Sequence, residues 1–175
     1  TCALPIYAVA YYEGYARDEL ARTVESLKTL GYVDEDQRPT VKGVECAQIN
    51  ECAAITLVEG LHAGVFNELN TAELLGTLAF FLAAKEDDER VPESVPGSIR
   101  AACKRLALLH ESHEGMGEPL NDTWCDLAYV WVTEGRICGD VFLGEFVRNM
   151  LKLANIARET LAAAMIGQHT PVIRA

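Results

Sequence analysis

The sequence predicts an all-α fold, a single helical bundle of about six helices, on three observations. Half of the 175 residues are hydrophobic and 23% are charged, so one domain can bury a sizeable core and disorder is disfavoured. Every long segment repeats its apolar residues at helical spacing. The breaks between segments are glycines and one acidic, proline-bearing stretch rather than alternating strands. Residues 1–175 are accordingly expected to form one domain, with no internal repeat and no low-complexity tract.

The first 16 residues are apolar and carry Tyr7, Tyr11, Tyr12 and Tyr15 at irregular spacing. They read as an N-terminal arm that needs docking. Leu20, Val24 and Leu27 then mark a helical stripe that stops at Gly31, a glycine cap. Residues 31–43 alternate weakly around Asp34-Glu35-Asp36 and contain Pro39, which predicts a short hairpin or extended loop. A helix is expected over 44–63, with Ile49, Ala53, Leu57 and Leu61 on one side and Gly64 as its left-handed terminator. Asn70 and Glu73 form a capping box for a helix over 71–84. That helix is apolar nearly all round, which places it centrally. Residues 85–98, with Glu86-Asp87-Asp88-Glu89 and two prolines, read as a solvated acidic loop. Helices follow at about 98–114, 121–134 and 141–166, bounded by Gly115, Pro119, Gly135 and Gly167. In the last, Phe146 or Val147, Met150, Ala154, Ala157, Leu161 and Ala164 make the apolar face.

Net charge is −11, which argues against a dedicated nucleic-acid binder, because phosphate neutralisation needs clustered lysine and arginine. The charge is uneven. Residues 136–175 hold 5 basic and 3 acidic side chains, against 10 and 23 in residues 1–135, so only the C-terminal segment can approach a polyanion without strong repulsion. Six scattered cysteines (Cys2, Cys46, Cys52, Cys103, Cys125 and Cys138) make no CxxC pair and follow no secretory signal. Buried free thiols in a reducing intracellular compartment are expected, in nucleus or cytoplasm. The longest apolar run, Leu74 to Ala84, is too short to span a membrane, so no membrane partner is expected. Opening on Thr1 rather than Met, the chain reads as a fragment, a processed product or an incomplete sequence.

No phosphate-cradling G-x-x-x-x-G-K-[ST] loop, no Asp-Glu-x-His strand end, no G-x-S-x-G elbow and no H-E-x-x-H pair occurs. No catalytic residue and no cofactor is therefore expected, and ATP chemistry by this chain alone is excluded. His110-Glu111-Ser112-His113-Glu114, with Cys103 on the same stripe, is the cluster that most invites metal. A zinc site wants ligands converging from several elements. These histidines instead edge an apolar stripe near a helix C-terminus, where positive charge is favoured, and no metal is expected. Trp124, Leu127, Ala128 and Trp131 recur at helical spacing and read as core, since a base-stacking platform would need neighbouring lysine or arginine.

Lys42-Gly43, Ile49-Asn50, Leu57, Glu59 and Gly64-Val65-Phe66-Asn67 follow one another without a gap against a known pattern. Tyr129-x-Trp131-x-x-x-Gly135 and Asp140-Val141-Phe142-x-Gly144, running into Phe146-Val147-Arg148, match in the same order. In these motifs the sequence resembles the C-terminal helical domain (DSHCT) of exosome-associated, superkiller-type DExH RNA helicases, over most of residues 27–167. The resemblance implies a non-catalytic module that braces a helicase motor and lines the path of departing RNA. The helix after Asp-Val-Phe-x-Gly corresponds to the ratchet helix that meets unwound RNA. On that resemblance the RNA-contact residues are Arg148, which matches a family arginine, Lys152, which matches the second base of a basic pair, and Asn155, which replaces a glutamate. Leu151 stands where the first base of the pair would be. From spacing alone, Glu145, Arg148, Lys152, Asn155 and Glu159 share one helix face, with Arg148 and Lys152 about one turn apart. The expected partners are a helicase core or other protein subunits, and single-stranded RNA. The competing reading is a helicase-derived domain repurposed as a structural or adaptor protein in a large assembly, a virion included.

Overall fold

A computed structural model describes residues 6–83, 95–112, 119–139 and 141–175, with residues 6–13 described by their backbone alone. The chain divides into two compact units, residues 1–44 and 45–175. The all-α fold is as expected. Among the described residues there are eight α-helices and one short 3₁₀ turn. The only β pairing among them is an isolated antiparallel bridge between Val33 and Pro39.

In the first unit, α1 runs from Ile6 to Thr29, so most of the expected N-terminal arm continues the helix that Leu20, Val24 and Leu27 announce. Val24 and Leu27 are half-buried and Leu20 is exposed. Gly31 ends α1 at φ +77°. Its N–H donates to the Lys28 carbonyl (2.9 Å) and that of Tyr32 to the Leu27 carbonyl (2.8 Å), the paired bonds of a Schellman cap. The expected hairpin is a tight loop closed by the Val33–Pro39 bridge. Thr40 then caps α2 (Val41–Cys46), accepting from the Gly43 N–H at 3.2 Å. The Lys-Gly pair has a physical role here. Lys42 donates to the orphan Leu30 carbonyl (3.0 Å) and lies 4.7 Å from the Tyr32 ring centroid. Gly43 leaves room for the Tyr32 carbonyl, whose carbon would lie 3.1 Å from any Cβ placed there.

The helix expected over 44–63 is instead two helices, α2 and α3 (Ala54–His62). Residues 48 and 49 tighten to i→i+3 bonds onto Glu45 and Cys46, and Ile49 turns into the core. The N–H groups of Asn50 and Glu51 leave the helical ladder and donate to one oxygen of Glu159, at 2.9 and 3.1 Å. A distant carboxylate thus satisfies donors that a continuous helix would have satisfied itself. Gly64, at φ +64°, closes α3 as expected, with the Val65 N–H on the Gly60 carbonyl at 2.9 Å. Phe66 is 1% exposed beneath that corner.

The Asn70–Glu73 capping box is present and opens α4 (Thr71–Leu78). A 3₁₀ turn from Ala79 to Phe81 follows. As its all-round apolarity predicted, α4 is central. It packs against α5 (Gly97–Glu111), α6 (Cys125–Glu134) and α7 (Leu143–Ile166). The acidic loop lies largely outside the described residues, as do His113, Glu114 and Gly115. A short α8 (Thr170–Arg174), which the sequence does not announce, folds back on α7.

Two side-chain expectations are corrected. Trp124, Leu127 and Ala128 are buried, but Trp131 is 44% exposed and meets Phe146 edge-on at 5.6 Å. The buried face of α7 is also shifted from the expected one. Phe146, Asn149, Met150, Leu153, Ile156, Thr160, Ala163 and Ala164 point inward, while Val147, Ala154 and Leu161 are exposed. Apolar residues occupy two adjacent faces of α7. The buried one is disguised in the sequence by Thr160, whose hydroxyl is satisfied by its own helix at the Ile156 carbonyl (2.7 Å).

Candidate nucleic-acid interface

The residues expected to meet RNA lie on α7, and its two halves differ. In the N-terminal half Arg148 is exposed, with Glu145 at 3.9 Å as its ion-pair partner among the described residues. Lys152, one turn on, is half-buried. In the C-terminal half the polar stripe turns to the protein. Asn155 Nδ2 donates to Glu51 Oε1 (3.2 Å), and Asn155 Oδ1 accepts from the Arg158 guanidinium (2.5 Å). Glu159 holds the turn at residues 50–51. The geometry thus exposes Arg148 beside Glu145 and commits Asn155 to protein contacts.

Beside the polar stripe runs an unexpected row of exposed apolar side chains. Leu143, Val147, Leu151, Leu161 and Met165 are 42–63% exposed, and Phe142, just before the helix, is 78% exposed. These side chains follow one another along one side of α7.

Of the metal-inviting histidine cluster, only its first part falls within the described residues. His110 Nδ1 is hydrogen-bonded to the buried Thr56 hydroxyl at 2.9 Å, and His113 lies outside the described residues. A different trio comes together. Glu45 near the end of α2, His62 at the end of α3 and His169 between α7 and α8 bring ligand atoms within 4.8 Å of one another. Sequence reasoning missed it because three distant residues share no ligand spacing. The one available signal was a glutamate flanked by apolar residues, at a position that proves fully buried.

A cavity of about 420 Å³ opens beside α5, lined in part by Ile99, Cys103, Lys104, Asp122 and Cys125. The Cys125 thiol is a poor nucleophile for a physical reason. Cys125 Sγ lies 4.0 Å from Cys103 Sγ, and that contact, reinforced by burial, raises the Cys125 pKa far above the ordinary thiol range. None of Cys46, Cys52, Cys103, Cys125 and Cys138 forms a disulfide. Among the described residues no helix is long and apolar enough to cross a membrane.

Comparison with known proteins agrees with the motifs. The family model described as the DSHCT (NUC185) domain matches residues 36–173. The chain belongs to this family. Over 165 residues it is 27% identical to the exosome RNA helicase MTR4 of Mus musculus, covering 84% of this chain and 16% of that protein. It is 25% identical over 166 residues to the ATP-dependent RNA helicase mtr4 of Schizosaccharomyces pombe, covering 85% of this chain and 15% of that one. A Caenorhabditis elegans protein named mRNA transport homolog 4 is 25% identical over 168 residues, covering 84% of this chain and 16% of that protein. The chain therefore spans about one sixth of the length of the relatives it matches, and corresponds to an accessory, non-catalytic part of such helicases.

Proposed function

We propose that this DSHCT domain braces a DExH RNA helicase motor and lines the path by which single-stranded RNA leaves it. The observation that carries the reading is the double character of the outward side of α7. The apolar row from Leu143 to Leu151 suits a protein surface, and the exposed Arg148, with Lys152 one turn on, suits the phosphates of a strand passing alongside. Asn155 joins this surface only if RNA displaces Glu51 and Arg158 from its amide. Its part is therefore secondary to the two bases.

A second reading is favoured by those Asn155 contacts together with the net charge of −11. In it the domain is a structural or adaptor module, and α7 meets protein only. Titration of single-stranded RNA against the purified chain at low salt separates the two. Two phosphate contacts predict weak binding with a log–log salt slope of about −1.4. Substituting Arg148→Ala and Lys152→Ala together should abolish that slope. A flat titration for the unsubstituted chain would refute the RNA-facing reading and leave the adaptor.

A further inference from the structure

We propose that Glu45, His62 and His169 form a zinc-binding site. The three side chains converge from three separate stretches of chain on one point. Their ligand atoms lie within 4.8 Å of one another. Glu45 Oε2 is 2.8 Å from His62 Nε2 and 3.3 Å from His169 Nε2. Two ligands at the usual zinc distance of about 2.1 Å, in tetrahedral arrangement, lie about 3.4 Å apart. The trio therefore needs only small side-chain adjustments to hold one ion.

Three features point to a built site rather than to a chance meeting of polar groups. First, the Glu45 side chain is 0% exposed, and among the described residues its ionisable neighbours are the two histidines, with no lysine or arginine in ion-pair range. Oε2 takes both histidines, while Oε1 is buried and finds no hydrogen-bond partner among the described residues. A buried carboxylate satisfied so unevenly calls for a cation. Second, the backbone makes room for the cluster. A Cβ at Gly167 would run into Glu45 Oε1 and come within 2.5 Å of His169 Nε2, so glycine is needed there for the carboxylate and the ring to meet. Third, Gln168 takes a left-handed φ of +57°, a conformation that costs a non-glycine residue energy. It aims His169 back toward α2, where its Nε2 reaches Glu45.

The donor set determines the ligand class. Two imidazoles and one carboxylate suit zinc among the divalent ions, with three protein ligands and one open position for water or an incoming group. The histidine rings meet edge-to-face at 4.9 Å, and the His62 side chain is 40% exposed, so the open position has a route to solvent. Bound zinc would clamp the end of α3 to the α7–α8 turn.

The test is a zinc titration of the chelator-treated chain, kept reduced, against a chromophoric competitor. It is repeated with His62→Ala, His169→Ala and Glu45→Gln. One equivalent should bind, and each substitution should weaken binding by at least about 100-fold. Cobalt(II) in place of zinc should give visible d–d bands without the near-ultraviolet charge-transfer band of a thiolate ligand, which excludes the cysteines. His62→Ala is the decisive variant because its partly exposed ring can be removed with little effect on folding, which a cooperative melt would verify. Zinc should also raise the melting temperature of the unsubstituted chain and leave that of His62→Ala unchanged. Failure to bind one equivalent, binding that survives all three substitutions, or a thiolate band in the cobalt spectrum would each overturn the proposal. The trio would then be a hydrogen-bonded cluster only.

Discussion

Replacing Gly64 by alanine tests the corner on which α3 ends. The residue sits at φ +64°, a region that costs an L-residue about 1–2 kcal/mol. A Cβ there would also come within 2.7 Å of Asn67 Nδ2. That atom is the far end of an exposed side chain and can rotate away, so the dihedral cost should dominate. Gly135 provides the control. It ends α6 at φ +68°, and a Cβ added to it would meet nothing within 4 Å, so Gly135→Ala carries the dihedral cost alone. Both substitutions should therefore destabilise by about 1–2 kcal/mol and agree within about 0.5 kcal/mol. For a chain of this length, that lowers the melting temperature by roughly 2–8 °C. Gly64→Asn should lose less, because asparagine tolerates the left-handed region. Far-UV circular dichroism through urea and thermal transitions measures all three. An unchanged midpoint for Gly64→Ala would refute the left-handed cap and, with it, the physical reason for the Gly-Val-Phe-Asn corner.

Two further predictions concern carboxylates that hold the fold together. Glu159→Ala leaves the Asn50 and Glu51 N–H groups without their acceptor and should cost about 1–2 kcal/mol in urea titrations; Glu159→Gln, which keeps an oxygen acceptor, should cost less. Glu73 has its pKa lowered, chiefly by the Ser98 hydroxyl and then by the Asn70 N–H, against a smaller opposing effect of burial. A depressed carboxylate stabilises above its unfolded pKa, and that stability is lost as pH falls below about 4.5. Glu73→Gln should therefore narrow the gap in melting temperature between neutral and acidic buffer, and an identical gap in both proteins would refute it.

Much of the fold was legible because its signals are local. Gly31 and Gly64 sit where the helical period stops, and both adopt positive φ. Asn70 and Glu73 carry the capping box in four consecutive residues. The break between α2 and α3 was not legible, because the groups that replace the helical bonds of Asn50 and Glu51 come from Glu159, more than a hundred residues away. The same is true of the buried face of α7, where two adjacent apolar faces compete and only tertiary packing chooses. The Glu45–His62–His169 cluster lay beyond any spacing rule, because its members meet only once three elements have folded together.

The two halves of α7 explain why a stripe that reads uniformly in sequence divides in structure. Beyond Lys152, Asn155 and Glu159 face the turn at residues 50–51 and are occupied there. That turn exists because the α2–α3 helix breaks, and the break is held by Glu159 itself. Fold and surface are therefore coupled, since freeing Asn155 for RNA means loosening the contact with Glu51 beside the turn. Arg148 carries no such coupling, being exposed with Glu145 of its own helix at 3.9 Å. Under the proposed RNA-facing reading, polar contact with a strand would concentrate on the N-terminal half of α7, beside Phe142, Leu143 and Val147, all exposed. On that reading a ligand lying along α7 would meet apolar surface and the exposed Arg148 together. Under the proposed reading, that combination would suit an extended strand held against a protein wall better than a duplex held by phosphates alone.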